Sequence, residues 1–292
     1  PRANAEFIGV QRLPIPPVHE QITISTFLDR ITFKIDQAIA IKEKQIALLQ
    51  DRKQILIQNA VTRGLDPDAP MRDSGVEWIG EIPAHWKLKK MSHLTKKIGD
   101  GLHGTPEYSD NTSYYFINGN NLVGGRIKIN EMTKTVSERQ YLIHKKELNS
   151  DTLLISINGT IGNVAVYQGE KVMLGKSAAY LNFLPHINIE YIKAFLESSI
   201  FKHYYELELS GSTIWNLSLF SLGKTPIIYP PIDEQTAIVA HIQTQSTKID
   251  NAITLQQQQI EKLKEYKATL INSAVTGKFK VPMPLGDASA AG

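Results

Sequence analysis

The sequence predicts a mixed α/β domain flanked by two long helices that pair antiparallel as a coiled coil. Three observations carry this: a gapless internal repeat, a narrow apolar seam shared by both copies, and a stretch of short β-rich runs between them. Residues 16–62 open Pro16-Pro17-Val18-His19-Glu20-Gln21 and close Ala60-Val61-Thr62. Residues 230–276 open Pro230-Pro231-Ile232-Asp233-Glu234-Gln235 and close Ala274-Val275-Thr276, with 19 identities in 47 positions. A repeat without insertions indicates two copies of one rigid element, since a loop would tolerate length changes.

The repeats read as helices. Leu28, Ile35, Ile39, Ile46, Leu49, Leu56 and Ala60 step by 7, 4, 7, 3, 7 and 4, and Ile242, Ile249, Ile253, Ile260, Leu263, Leu270 and Ala274 take the same steps. That spacing gives the narrow stripe of a coiled-coil seam. Pro17 and Pro231 suit a first helical turn, where a missing N–H costs nothing. Glu20 and Glu234 fall near the positive end of each helix dipole, and Gly64 and Gly277 are the expected stops. Each helix would run roughly 65 Å at 1.5 Å per residue. A lone helix would expose its seam, so the two are expected to pack on each other, and the chain returning from one end makes them antiparallel.

Between them, the strand candidates are Tyr114–Ile117, Leu153–Ile157, Val164–Tyr167, Tyr180–Leu184 and Thr225–Tyr229. Helix candidates are Ile189–Glu208 and a short turn at Ser137–Leu142. The expected organisation is a tail at 1–17, the first helix at 18–63, a turn-rich linker at 64–80, the α/β domain at 81–229, the second helix at 230–277 and a tail at 278–292. Phe7 to Pro17 occupies the place that Phe220 to Pro231 holds before the second helix. The first tail is therefore expected to be the end of a further domain.

Composition narrows the chemistry. Of 292 residues 42% are hydrophobic and 21% charged, as in ordinary globular chains. There is no cysteine, so no thiolate nucleophile, disulfide or cysteine metal site; this fits a cytoplasmic protein. No apolar run is long enough for a membrane span. The net charge of +3 is compatible with nucleic acid but requires local focusing of charge. Enzyme signatures fail on inspection. Gly169 to Gly175-Lys176-Ser177 has five residues between its glycines where a P-loop has four. The Pro-Pro pairs lack the amide or carboxylate of an amino-methyltransferase motif. The histidines show no metal spacing, and Glu265-Tyr266-Lys267 lies beside the seam.

Five loops instead gather glycine with polar side chains: Gly99 to Pro106, Asn118-Gly119-Asn120-Asn121, Ser156 to Gly162, Gly175-Lys176-Ser177-Ala178 and Gly211 to Asn216. Glycine admits close backbone approach, and Ser, Thr and Asn bond phosphates or base edges; the same residues also serve ordinary turns. The candidate DNA-binding set is Lys96, Lys97, Asp100, His103, Thr105, Asn120, Asn121, Lys128, Asn158, Thr160, Lys176, Ser177, Ser212, Thr213 and Asn216. Among these the lysines are expected to meet phosphates. Asn120, Asn158, Ser177, Thr213 and Asn216 are expected to meet base edges or to order the loops that do.

Two Pro-Pro-x-x-Glu-Gln helices ending in Ala-Val-Thr resemble the conserved regions of the specificity subunit of type I restriction-modification systems. Gly99-Asp100-Gly101-Leu102-His103-Gly104-Thr105-Pro106, Ile117-Asn118-Gly119-Asn120-Asn121-Leu122, Asp151-Thr152-Leu153-Leu154, Asn158-Gly159-Thr160-Ile161-Gly162 and Gly211-Ser212-Thr213 follow, in order, the pattern of its target recognition domain. The resemblance implies a non-catalytic subunit whose partners are double-stranded DNA, modification (methyltransferase) subunits and a restriction subunit. No cofactor is implied for this chain, S-adenosylmethionine belonging to the modification subunit. The family's usual member carries two recognition domains; this chain has one, which implies one half-site per copy. The alternatives are a stand-alone DNA methyltransferase or nuclease with a degenerate site, which would bind cofactor alone, and a scaffold that shows no sequence-dependent DNA binding.

Overall fold

The computed structural model describes residues 14–209 and 215–282. The described residues fall into two compact units, one within Arg52–Ser246 and the other comprising residues 14–51 with 247–282. Most of the tail expected at 1–17 lies outside the described residues. Each long helix contributes to both units: α1 spans Val18–Arg63, and the last helix, named below, spans Ile232–Val275. Among the described residues no helix is long and apolar enough to cross a membrane.

In the unit holding residues 14–51 and 247–282, the helices run antiparallel. Lys267 Nζ donates to Asp36 at 2.6 Å, Lys42 Nζ reaches Gln256 and Gln259, and Phe27 meets Phe279 at 5.8 Å between ring centroids. As the first partner advances, the second retreats. Ile35, Ile249, Ile260 and Leu270 are buried along this seam, the positions that the repeat's spacing marks.

The other unit is built on a four-stranded antiparallel sheet. After α1 come β1 (Met71–Asp73), β2 (Glu81–Pro83), β3 (Lys87–Lys90), β4 (Thr95–Asp100), β5 (Tyr115–Ile117), β6 (Leu122–Val123), β7 (Arg126–Ile127), α2 (Glu138–His144), β8 (Thr152–Ser156), β9 (Val164–Val166), β10 (Val172–Leu174) and β11 (Ala178–Phe183). Then follow α3 (Ile189–Leu196), α4 (Ser199–Leu209), α5 (Leu219–Lys224), β12 (Pro226–Tyr229) and α6 (Ile232–Val275). The main sheet has the order β4-β11-β8-β9, with β1-β2, β3-β12 and β6-β7 as antiparallel pairs and β5-β10 as a parallel pair.

Both faces of the main sheet are covered. Leu153 and Ile155 of β8 and Ala179, Leu181 and Phe183 of β11 join the larger core with Tyr191, Ile192 and Phe195 of α3. Leu154 and Tyr180 point the other way, into a second core with Ile117, Leu122 and Leu174. Burial on both faces is why these strands read as unbroken apolar runs rather than alternating ones.

The span Ile189–Glu208 expected as one helix is two. Ser198 is buried, and its hydroxyl donates to the Phe195 carbonyl, closing α3, while its own carbonyl accepts the Lys202 N–H of α4. A serine bonding back to a carbonyl in this way competes with helix continuation.

Candidate nucleic-acid interface

Strand directions place the polar loops at one end of the main sheet. Asp100 ends β4 opposite Ala179 near the start of β11, and Ser156 ends β8 opposite Ala178. The loops leaving and entering these strands therefore converge. Asn158, after β8, bridges to Asn216 on the segment before α5, and the Leu217 N–H donates to the Ile157 carbonyl. Gly119, after β5, donates its N–H to Ser177 Oγ in the turn between β10 and β11.

The glycines here serve loop-on-loop packing. A Cβ on Gly101 would collide with the Leu174 carbonyl, the group that accepts the Leu102 N–H at 2.7 Å. A Cβ on Gly119 would meet Ser156 Oγ. The glycines thus lock the loops to each other and leave polar side chains beside them.

Those side chains divide into two groups. Asn121 accepts the Asn118 N–H on Oδ1 at 2.9 Å and donates from Nδ2 to the Lys128 carbonyl. Ser177 Oγ donates to Asn118 Oδ1 at 3.0 Å. Both hold the loops in shape. The second group faces outward: Thr105, Asn120, Thr160, Lys176 and Asn216 are exposed. His103 is exposed too, and its Nε2 lies 2.7 Å from Asp100 Oδ2, so a half-buried carboxylate orients an exposed imidazole. Asn158 is half-buried. Asn120, Asn121 and Lys128 line a cleft of about 280 Å³ together with Tyr108 and Lys134. Ser212 and Thr213 lie outside the described residues.

Lys96 and Lys97 stand apart from this rim. They sit near the start of the edge strand β4, where Lys97 pairs with Asn182, and Lys97 Nζ is 4.0 Å from Glu147. Beside the rim, Trp215 is 65% exposed, a large apolar ring adjoining Asn216. The sequence signal for it was adjacency alone, Trp215 lying inside the last of the five polar loops.

The two Pro-Pro-x-x-Glu-Gln copies share a local bond. Gln21 Nε2 donates to the Pro16 carbonyl at 2.7 Å, and Gln235 Nε2 to the Pro230 carbonyl at 2.8 Å. Glu234 has an added role, accepting from Trp86 Nε1–H at 2.8 Å and meeting His85 Nε2 at 2.7 Å.

Comparison with known proteins gives consistent matches. The family model described as "Type I restriction modification DNA specificity domain" matches residues 83–265, more than half of the chain. A Methanocaldococcus jannaschii protein provisionally named type I restriction enzyme MjaX specificity subunit is 23% identical over 282 residues, covering 92% of this chain and 60% of that protein. A chain from a solved type I R-M system, studied for its complex assembly and conformational transition, superposes with a TM-score of 0.65 at 18% identity, covering 91% of this chain and 62% of that one. The HsdS subunit of Thermoanaerobacter tengcongensis superposes with a TM-score of 0.52 at 18% identity, covering 91% and 61%. The present chain thus spans about three-fifths of the length of these relatives.

Proposed function

This chain belongs to the type I restriction modification DNA specificity family, and we propose that it is a non-catalytic, sequence-reading subunit that binds one half-site of double-stranded DNA. The observation that carries the reading is the convergence of the polar loops at one end of the β4-β11-β8-β9 sheet. Their backbones are mutually locked, and amide, hydroxyl and imidazole groups project outward. Such groups, held on a rigid platform, suit hydrogen bonding to base edges in the major groove, while flanking lysines suit phosphates. Asn120, Asn158, Thr160 and Asn216 are the proposed base-facing residues, with His103 oriented by Asp100. Asn121 and Ser177 act through the shape of the loops.

In this reading the chain carries no cofactor. A methyl donor such as S-adenosylmethionine belongs to the modification subunit, and the paired helices offer the surface on which modification and restriction subunits assemble. The recognition domain at 81–229 reads one half-site.

The test is selection of duplexes from a random library, using the chain together with its modification subunit, followed by binding measurements on the selected and random sequences. Asn158→Ala and Asn216→Ala are expected to weaken the selected duplex by about 1–3 kcal/mol each and to leave the random duplex nearly unchanged. An unchanged ratio of selected to random affinity in both variants would remove the rim as the reader of sequence.

A further inference from the structure

A second concave surface lies away from the rim, toward the start of β4. It is a groove of about 480 Å³ between the β3–β4 segment and α5. Lys90, His93, Lys96, Lys97 and Lys224 line it, and among the described residues no aspartate or glutamate does. All five of these side chains are exposed. The Lys224 ammonium sits 4.1 Å from the centre of the Phe220 ring, and Phe220 is itself 70% exposed at the groove. The aromatic face holds this cation in place by its negative quadrupole.

Cations gathered along one concavity without carboxylates repel each other and focus a positive potential, a standing preference for an anionic occupant. The chain as a whole carries only +3, so this cluster is a local concentration of charge. Two segments of the chain run from the groove to the rim. β4 runs from Lys96 to Asp100, whose carboxylate holds His103. Asn216, bridged to Asn158, leads directly into the Ser218-capped α5 that carries Phe220 and Lys224.

We propose that this groove binds the sugar-phosphate backbone of the duplex whose base edges face the rim, with Lys90, Lys96 and Lys224 as its principal phosphate contacts. The proposal rests on the functional reading above and adds the path of the backbone. A duplex seated on the rim must pass a strand over the flanking surface, and this flank is concave and lined by lysines, of which Lys97 has Glu147 at 4.0 Å while the three proposed contacts are Lys90, Lys96 and Lys224. Such contacts release condensed counterions, so they contribute affinity that falls with salt and carry no sequence information.

The experiment is a salt titration of duplex binding by the full chain, comparing wild type with the Lys90→Gln/Lys96→Gln/Lys224→Gln variant after circular dichroism shows an unaltered fold. The slope of log K against log salt is expected to fall in magnitude by about 2–3, since each phosphate contact contributes about 0.9. Affinity at low salt should drop at least roughly tenfold for selected and random duplexes alike, leaving their ratio unchanged. Should the triple variant fail to fold, each single substitution is expected to lower the slope by about 1. Unchanged slope and affinity, in a protein where Asn216→Ala still erodes discrimination, would overturn the groove while the functional reading stands, and would leave the groove to an acidic protein surface. A wild-type chain that binds no duplex, alone or with its modification subunit, would overturn both.

Discussion

At the scale of single residues, burial sets two titrations that follow from the geometry of α3. Tyr191 is fully buried, and its hydroxyl donates to the Ile228 carbonyl at 2.9 Å, with the Val61 carbonyl at 3.3 Å. Burial, and secondarily the charge of Glu234, push its ionisation well above the ordinary 10.0. Above pH 10 the unfolded chain therefore loses this proton while the folded chain keeps it, so stability falls as pH rises through that range. Tyr191→Phe is expected to make the alkaline fall shallower. At neutral pH it should cost about 1–3 kcal/mol, because the buried Ile228 carbonyl loses this donor. Urea unfolding at neutral and alkaline pH measures both effects. Glu197, at the end of α3, is raised above 4.5 by burial first and by Glu190 second, against the opposing charges of Lys193 and Lys53. Folding therefore binds a proton just above pH 4.5, and stability drains as pH climbs through that window. In a thermal scan against pH, Glu197→Gln should flatten that part of the profile; a profile identical to wild type would refute the assignment.

At the scale of the element, the paired helices show which interaction dominates. Lys267 and Asp36 make a short ion pair, but their side chains are 30% and 55% exposed. Exposed pairs contribute at most about 1 kcal/mol. Ile249 is only 8% exposed on the seam, and a carboxylate there would be an unpaired charge in an apolar contact, costing several kcal/mol. Lys267→Ala should therefore barely move the unfolding midpoint, whereas Ile249→Asp should lower it strongly and abolish co-purification with the modification subunit. If the two substitutions had equal effects, the seam would not be what holds the pair.

At the scale of the whole molecule, the α/β unit is closed by the ends of the long helices that belong to it. The unit's core includes Ile57, Ala60 and Val61 of α1 and Ile238 and Ile242 of α6. Gly64 ends α1 with φ +76°, a left-handed conformation that glycine adopts without strain, and the Trp86 ring packs against it. Trp86 is 1% exposed and donates to Glu234 near the start of α6. One side chain thus touches the end of one helix and the beginning of the other. Trp86→Phe keeps most of the packing and removes the donor to a carboxylate, so a loss of roughly 1.5–3 kcal/mol is expected in denaturant unfolding. A loss below half of that would show that Glu234 is satisfied without it.

The sequence alone determined the two helices and the mixed α/β character of the segment between them, because these rest on local periodicity, and their antiparallel pairing, because the chain returns from one end. The seam positions Ile35, Ile249, Ile260 and Leu270 reappear as buried positions, and Leu153 to Ile157 reads as a strand since both of its faces are apolar. Charged Lys87-Leu88-Lys89-Lys90 gave no strand signal, yet it forms β3 by pairing with β12 more than 130 residues later. A non-local partner supplies the hydrogen bonds, and nothing within the segment announces it. Of the groove's lysines, Lys96 and Lys97 are among the sequence candidates for phosphates, whereas Lys90 and Lys224 are not, because only the fold brings α5 against β4. Polar type and glycine spacing singled out the loop residues, but only the tertiary structure decided that Asn121 and Ser177 spend their side chains on neighbouring loops while Asn120 and Asn216 face outward. That division depends on which loop lies within hydrogen-bonding reach of which, a distance set by strand register across the sheet.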